Sequence, residues 1–308
     1  MMGSEKQRKG PKEVQIPLPY GHMAAQEWGP PEGFPVLALH GWLDNGGSFD
    51  SLIPLLLPDL RIVALDFPGH GLSSHKPRGV IYEFAHFLVD IKRVVDFFSW
   101  KKFIIMGHSM GGGLGLLFAS IYPVLVEKVI SIDITKPVIV PDDDVAYQAL
   151  HTIDQQLVFE KKQSPPVYTP DKALQRLING LQNHVTEESA KLLMRRGTSR
   201  SSNKKGVIFN RDVSINNISV FSLTKQLHKS ILENLNCELL IIKAKERFFY
   251  EDPVEIKEIL DMYARNCKHF QYHEVEGTHF VHLNNPERVA PLINEFISKQ
   301  SLNKDAKL

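Results

Sequence analysis

The pentapeptide Gly107-His108-Ser109-Met110-Gly111 constrains this chain more than any other stretch, because of what lies on either side of it. Phe103-Ile104-Ile105-Met106 precedes it, short and apolar as a buried strand is. Gly112, Gly113 and a small-residue apolar segment ending near Tyr122-Pro123 follow it. The pattern predicts a strand, a sharp turn and a helix. Glycines at both ends of the turn remove Cβ atoms that would collide in so tight a corner. The serine is then lifted to the carboxyl end of the sheet with its Oγ facing a crevice. The helix aims its N-terminus, and the Met110 N–H, at any negative charge formed there. The plainer alternative is an ordinary strand–helix turn in which Ser109 only caps the helix.

The remaining chain supplies a sheet to hold that corner. Residues 14–28 read as a hairpin, and 35–40, 61–66, 129–133, 238–243 and 269–275 as strands. Helical spacing recurs over 48–57, 82–100, 253–265 and 286–299. Strands and helices alternating across short loops predict an α/β fold with a mostly parallel, doubly wound sheet. The rhythm breaks over 137–236. There, amphipathic charged patterns predict helices at 145–162, 171–183, 186–196 and 220–235, separated by 163–170 and the polar run 197–206. The expected organisation is a disordered tail over 1–13, a core over 14–136 and 237–300, a helical cap insertion over 137–236, and a C-terminal tail over 301–308.

Composition narrows the function classes. A chain of 308 residues, 43% hydrophobic and 23% charged, suits one globular unit with an insertion. A net charge of +1 gives no electrostatic basis for nucleic acid or an anionic membrane as principal partner. No apolar run is long enough to span a bilayer, residues 1–12 lack the apolar core of a secretory signal, and Gly3 is misplaced for myristoylation. Two cysteines, Cys237 and Cys267, predict free thiols in a reducing compartment. The 13 histidines show no paired metal-ligand spacing, and Gly111-Gly112-Gly113 is not followed by a phosphate-binding pattern, so neither metal nor cofactor is expected. Ala306-Lys307-Leu308 is a conservative variant of the Ser-Lys-Leu peroxisomal address. It points to the peroxisomal import receptor as a partner, and to peroxisome or cytoplasm as location.

From residue 36 to 299 the order of features resembles the α/β-hydrolase family. His40-Gly41-Trp42 looks like its oxyanion loop, 107–111 like its nucleophile elbow, and Gly277-Thr278-His279 like its histidine loop. Gly41-Trp42-Leu43-Asp44-Asn45, Asp66-Phe67-Pro68-Gly69-His70-Gly71 and Gly107-His108-Ser109-Met110-Gly111-Gly112 together are most similar to the branch of serine hydrolase-like proteins.

The resemblance implies Ser109 as nucleophile, His279 as its base, and the backbone N–H groups of Trp42 and Met110 as oxyanion hole. His282 is the rival base, expected instead to pack or bond locally. His108 is expected to brace neighbouring loops, as are Asp44, Asp66 and His70, while His40 is read as structural. The carboxylate that orients the base is open. Most of the family places it after the next-to-last strand, here 243–248, where Arg247 takes the usual seat beside Glu246. The other attested position follows the strand after the elbow helix, where Asp133 lies. Asp133 is favoured, with Glu246 as alternative and Asp252 third.

The expected activity is cofactor-independent cleavage of an ester, thioester or related acyl bond in a small, moderately hydrophobic molecule through an acyl-serine. The alternative is a ligand-binding protein on the same fold with a decayed triad. A lyase or carbon–carbon hydrolase using the same serine and histidine is a weaker third.

Overall fold

The computed structural model describes residues 10–138, 145–161, 164–202, 205–216 and 224–299. Residues 1–9 of the expected N-terminal tail, the 301–308 tail with Ala306-Lys307-Leu308, and 220–223 of the last expected insertion helix lie outside the described residues.

The chain opens with β1 (Lys12–Leu18), two residues into what the sequence suggested was still tail, and β2 (Gly21–Trp28). Then follow β3 (Phe34–Leu39), β4 (Leu60–Leu65), α1 (Phe84–Phe97), β5 (Phe103–His108), α2 (Met110–Ile121) and β6 (Val126–Ile132). The insertion carries α3 (Val145–Glu160), α4 (Pro170–Gly180), α5 (Glu187–Gly197), β7 (Thr198–Arg200), β8 (Val207–Phe209) and α6 (Lys225–Leu232). The chain closes with β9 (Glu238–Ala244), α7 (Pro253–Asn266), β10 (His269–Val275), α8 (Val281–Asn284) and α9 (Pro286–Ser298).

Among the described residues, eight strands form one sheet in the order β1-β2-β4-β3-β5-β6-β9-β10. The β1–β2 and β2–β4 pairs are antiparallel and the others parallel. Alternation along the central strands explains why both faces are covered. Leu37, Leu39, Ile105, Val129 and Ile241 enter one core with α1, α2 and α7. Val36, Ala38, Ile104, Met106, Ile130 and Ile242 enter the other with α9. A parallel sheet buried on two sides must read as near-continuous apolar runs, which is what these strands are.

Two segments depart from expectation. Residues 48–57 do not form an α-helix; they fold as 3-10 turns at Gly46–Phe49 and Ile53–Leu55. Proline at 54 removes a donor, and the Asn45 side chain already accepts the Gly47 N–H, so the segment tightens into short turns. The polar run 197–206 begins with β7, which pairs antiparallel with β8. Three-residue strands are too short to show period-two patterning, so nothing in the sequence announced them.

Among the contacts that tie the insertion down, one is apolar and one is an ion pair. Leu177, Leu181, Val185, Ala190 and Leu193 pack on Phe280 and Leu283. Arg196 at the end of α5 reaches Asp66, its Nη2 2.9 Å and its Nε 3.1 Å from Oδ2. Asp66 also accepts the backbone N–H groups of Gly46 and Leu72, at 2.7 and 2.8 Å. Both partners of this ion pair are buried. Removing one therefore leaves an uncompensated charge. Arg196→Leu should cost about 3–5 kcal/mol, read as a drop in the denaturant midpoint; a shift under about 1 kcal/mol would show that the pair is energetically idle.

Candidate active site

The elbow works because backbones approach where side chains would forbid it. A Cβ on Gly107 would lie 2.3 Å from the Gly111 carbonyl oxygen, and one on Gly111 would lie 2.0 Å from the Leu39 oxygen. Glycine at both positions lets α2 start directly against β3 and β5. Ser109 between them sits at φ 49°, ψ −117°. That conformation costs a serine about 1–3 kcal/mol and persists only when its surroundings enforce it. Here the Ser109 N–H donates to the Ile132 oxygen at 2.9 Å, and the Ser109 carbonyl accepts from Gly113 N–H at 3.0 Å. Ser109 is partly exposed, and its hydroxyl makes no hydrogen bond with a described residue, so it does not cap α2.

Two backbone segments flank the serine. Met110 opens α2, which puts its N–H among the donors that a helix N-terminus leaves unpaired. Gly41 runs close by; a Cβ there would be 3.4 Å from the Ser109 Cβ and 2.9 Å from His108 Nδ1. Trp42, next along this loop, is half-buried at the same edge. His40 holds the loop: Phe67 N–H donates to its Nε2 at 3.0 Å, which leaves Nδ1 to donate to the Gly41 oxygen at 2.7 Å.

His279 comes from the loop between β10 and α8. Its Nδ1 lies 2.5 Å from Asp133 Oδ2. Asp133 follows β6 at φ 54° and is held on three sides. Its N–H donates to the Ile242 oxygen at 2.7 Å, Oδ1 accepts from Ala244 N–H at 2.8 Å, and Lys243 Nζ lies 3.2 Å from Oδ1. Lys243 is balanced by Glu251, 2.8 Å away. The carboxylate against the imidazole is thus Asp133. Glu246 is exposed, and its backbone N–H donates to the Gly277 oxygen at 3.1 Å. Its neighbour Arg247 faces Glu251 at 3.9 Å. Asp252 caps α7 by accepting the Val254 N–H at 3.0 Å.

His282 lies elsewhere. Its Nε2 meets Ser48 Oγ at 2.6 Å, and its ring stands 4.1 Å from that of His108. His108 Nε2 donates to the His279 carbonyl oxygen at 2.9 Å, with ring centroids 4.7 Å apart. The residue preceding the serine therefore holds the histidine loop against the elbow.

The electrostatics follow from burial. Exclusion of water pushes the His279 imidazole down to about 4, against the opposing pull of Asp133 and aided by His108. Burial pushes the Asp133 carboxyl up, but the His279 hydrogen bond, the Lys243 charge and the Ala244 N–H outweigh it and hold the group below its usual value. Near neutral pH the pair is a carboxylate beside a neutral ring, with Nδ1 as donor.

One group of possible metal donors exists among the described residues: Asp44, His108 and His282, with donor atoms within 4.8 Å of one another. His108 Nδ1 and Asp44 Oδ2 are 3.8 Å apart. Ligands of a tetrahedral zinc with bonds of about 2.0–2.1 Å stand about 3.3 Å apart, so the spacing does not fit a preformed zinc site. These residues bring the loop after β3, the elbow and the start of α8 together at one buried point.

Sequence reasoning missed Lys243, His184 and Phe248. Lys243 gave a signal, a charge ending an otherwise apolar strand run. His184 and Phe248 gave none, because their partners are distant in sequence.

With this geometry in place, comparison with known proteins defines the class. A family model described as the alpha/beta hydrolase fold matches residues 35–286. The chain belongs to that family. It is similar to the serine hydrolase-like protein of Danio rerio, at 38% identity covering 96% of this chain and 90% of the relative. It is also similar to serine hydrolase-like protein 2 of Homo sapiens, at 37% identity covering 92% and 93%. A hypothetical protein of Pseudomonas aeruginosa superposes with a TM-score of 0.82 at 30% identity, covering 95% of this chain and 100% of its own.

Burial of neutral histidines has a consequence for stability. His40, His70, His279 and His282 are all held below the ordinary value of 6.5, first by loss of water. The unfolded chain therefore takes up protons below pH 6.5 that the folded chain cannot. Each such group removes at most about 1.4 kcal/mol of stability per pH unit, and only between 6.5 and its own lowered value. The melting temperature should be level above pH 7 and fall steeply from 6.5 towards 4, the midpoint of His279 itself. A flat profile down to pH 5 would contradict this account.

Proposed function

We propose that the protein is a serine hydrolase that cleaves an ester, thioester or related acyl bond of a small, moderately hydrophobic molecule through an acyl-serine intermediate. The observation that carries this reading is the 2.5 Å contact between Asp133 and His279, in a chain whose Ser109 occupies a strained strand-to-helix corner. The serine hydrolase-like names of relatives matched over nearly the whole chain support it. No cofactor enters the scheme.

In this scheme the neutral His279 Nε2 takes the Ser109 proton as Oγ attacks the acyl carbon. Asp133 stabilises the imidazolium and keeps the proton of Nδ1 in place. The tetrahedral oxyanion is met by the N–H groups of Met110 and Trp42, donors fixed by the backbone before reaction. Collapse expels the alcohol or thiol with the proton from His279, and water repeats the sequence to free the acid. The Ser109 hydroxyl makes no hydrogen bond with a described residue, and such contacts commonly tighten only with substrate present. The half-buried Trp42, Phe248 and Phe249 at this edge support an apolar substrate.

Ser109→Ala should abolish labelling by a fluorophosphonate probe and lower kcat/KM on an acyl ester panel by about 1,000-fold or more. His279→Ala should do the same. Asp133→Asn should cost about 1,000–10,000-fold, while Glu246→Gln stays within about twofold, as surface changes do. Equal labelling of wild type and Ser109→Ala would end the proposal.

The base must be neutral to act, and its lowered value keeps it so. kcat/KM should then be level from pH 8 to 5 and fall about tenfold per unit below the His279 midpoint near 4. A limb near 6.5 would mean that His279 is hydrated in solution.

A further inference from the structure

The loop after β9 lies against the imidazole without supplying its carboxylate. Phe248 stacks face to face on the His279 ring, centroids 4.6 Å apart and planes within 13°. Phe249 meets the same ring edge-on at 5.9 Å and 74°. Beyond Phe248 stands His184, from the segment between α4 and α5, edge-on at 5.0 Å and 87°. His184 also grips the histidine loop directly. Its Nδ1 accepts the His279 backbone N–H at 3.2 Å, and its carbonyl accepts from Thr278 Oγ1 at 2.6 Å and Asn284 Nδ2 at 2.8 Å.

A hydrogen bond at Nδ1 fixes one point of a ring, not its plane. An imidazole held only by Asp133 can still rock about that bond and swing Nε2 off line. A flat aromatic face removes that freedom. It also denies water one whole face of the ring.

We propose that Phe248, backed by His184 from the insertion, is a positioning residue that sets the plane of the His279 ring and keeps water from its face. The proposal rests on the reading of His279 as the base of a serine hydrolase. It gives the insertion a part in the chemistry through His184. The charged and titratable groups facing His279 are Asp133 after β6, Lys243 of β9, His108 of β5, His282 of α8 and His184 of the insertion. Phe248→Ala alters none of them, so a change in the titration of the ring would trace to the exposed face.

The test uses full-length Phe248→Ala, Phe248→Leu and Phe248→Tyr, each checked for a wild-type melting transition. Isotope-labelled histidine allows the His279 ring to be titrated by NMR, its signal assigned by its loss in His279→Gln. In Phe248→Ala the midpoint should rise by one pH unit or more, and the acid limb of kcat/KM should move with it. kcat should fall by about 10–100-fold, the scale of a slightly misaimed catalytic group, with KM within threefold. Phe248→Tyr should restore both, and Phe248→Leu should fall between. An unmoved midpoint in folded Phe248→Ala, or a tyrosine variant that behaves like alanine, overturns the proposal. If Ser109→Ala proves as active as wild type, the hydrolase reading fails on its own; the NMR midpoint still decides whether Phe248 keeps water from the ring.

Discussion

Three backbone segments meet at one corner, and the architecture of the molecule depends on their closeness. The start of α2 lies against the end of β3 and turns out of β5 within a distance that no side chain beyond hydrogen would allow at Gly107 or Gly111. Strain in Ser109 is the local cost, offset by the two cores that clamp the central strands from either face. That rigidity fixes the serine and the neighbouring N–H groups in place. Fixed dipoles of this kind stabilise developing charge without reorganising, which is where most of the effect of such sites originates.

The second requirement is an imidazole delivered from far along the chain. Burial makes this demanding, because the same loss of water that keeps His279 neutral would penalise any misplaced polar group. Each partner is accordingly held by another. Asp133 holds His279; Lys243 and the Ala244 N–H hold Asp133; Glu251 balances Lys243. On the opposite side His108 anchors the His279 carbonyl, which ties the elbow to the histidine loop.

The insertion belongs to this network as well as to the surface. Its apolar faces rest on Phe280 and Leu283, immediately after the histidine, while Arg196 pairs with Asp66 beneath. Asp66 in turn organises the Gly46 and Leu72 loops through their N–H groups. A buried ion pair of this kind adds little net stability over an apolar isostere, but it makes one docking geometry specific and others costly.

The sequence alone determined the sheet, its alternation with helices and the elbow, and it marked where the strand rhythm breaks. Those features are written in local terms: apolar runs where both faces are buried, glycines where backbones touch, and a change of rhythm where the insertion begins. It also placed Asp133, Glu246 and Asp252 as candidates for one seat and favoured Asp133, but local pattern carries no contact that would decide among them. Only the folded chain decided which carboxylate meets the ring, because β6 and β9 are neighbours in space and a single loop turn separates facing inward from facing solvent. The turns at Gly46–Phe49 and Ile53–Leu55, the short β7–β8 pair, and the approach of His184 and Phe248 to His279 were decided at that level too. Periodicity reports what a residue is buried against in general. It does not report which distant side chain supplies the contact.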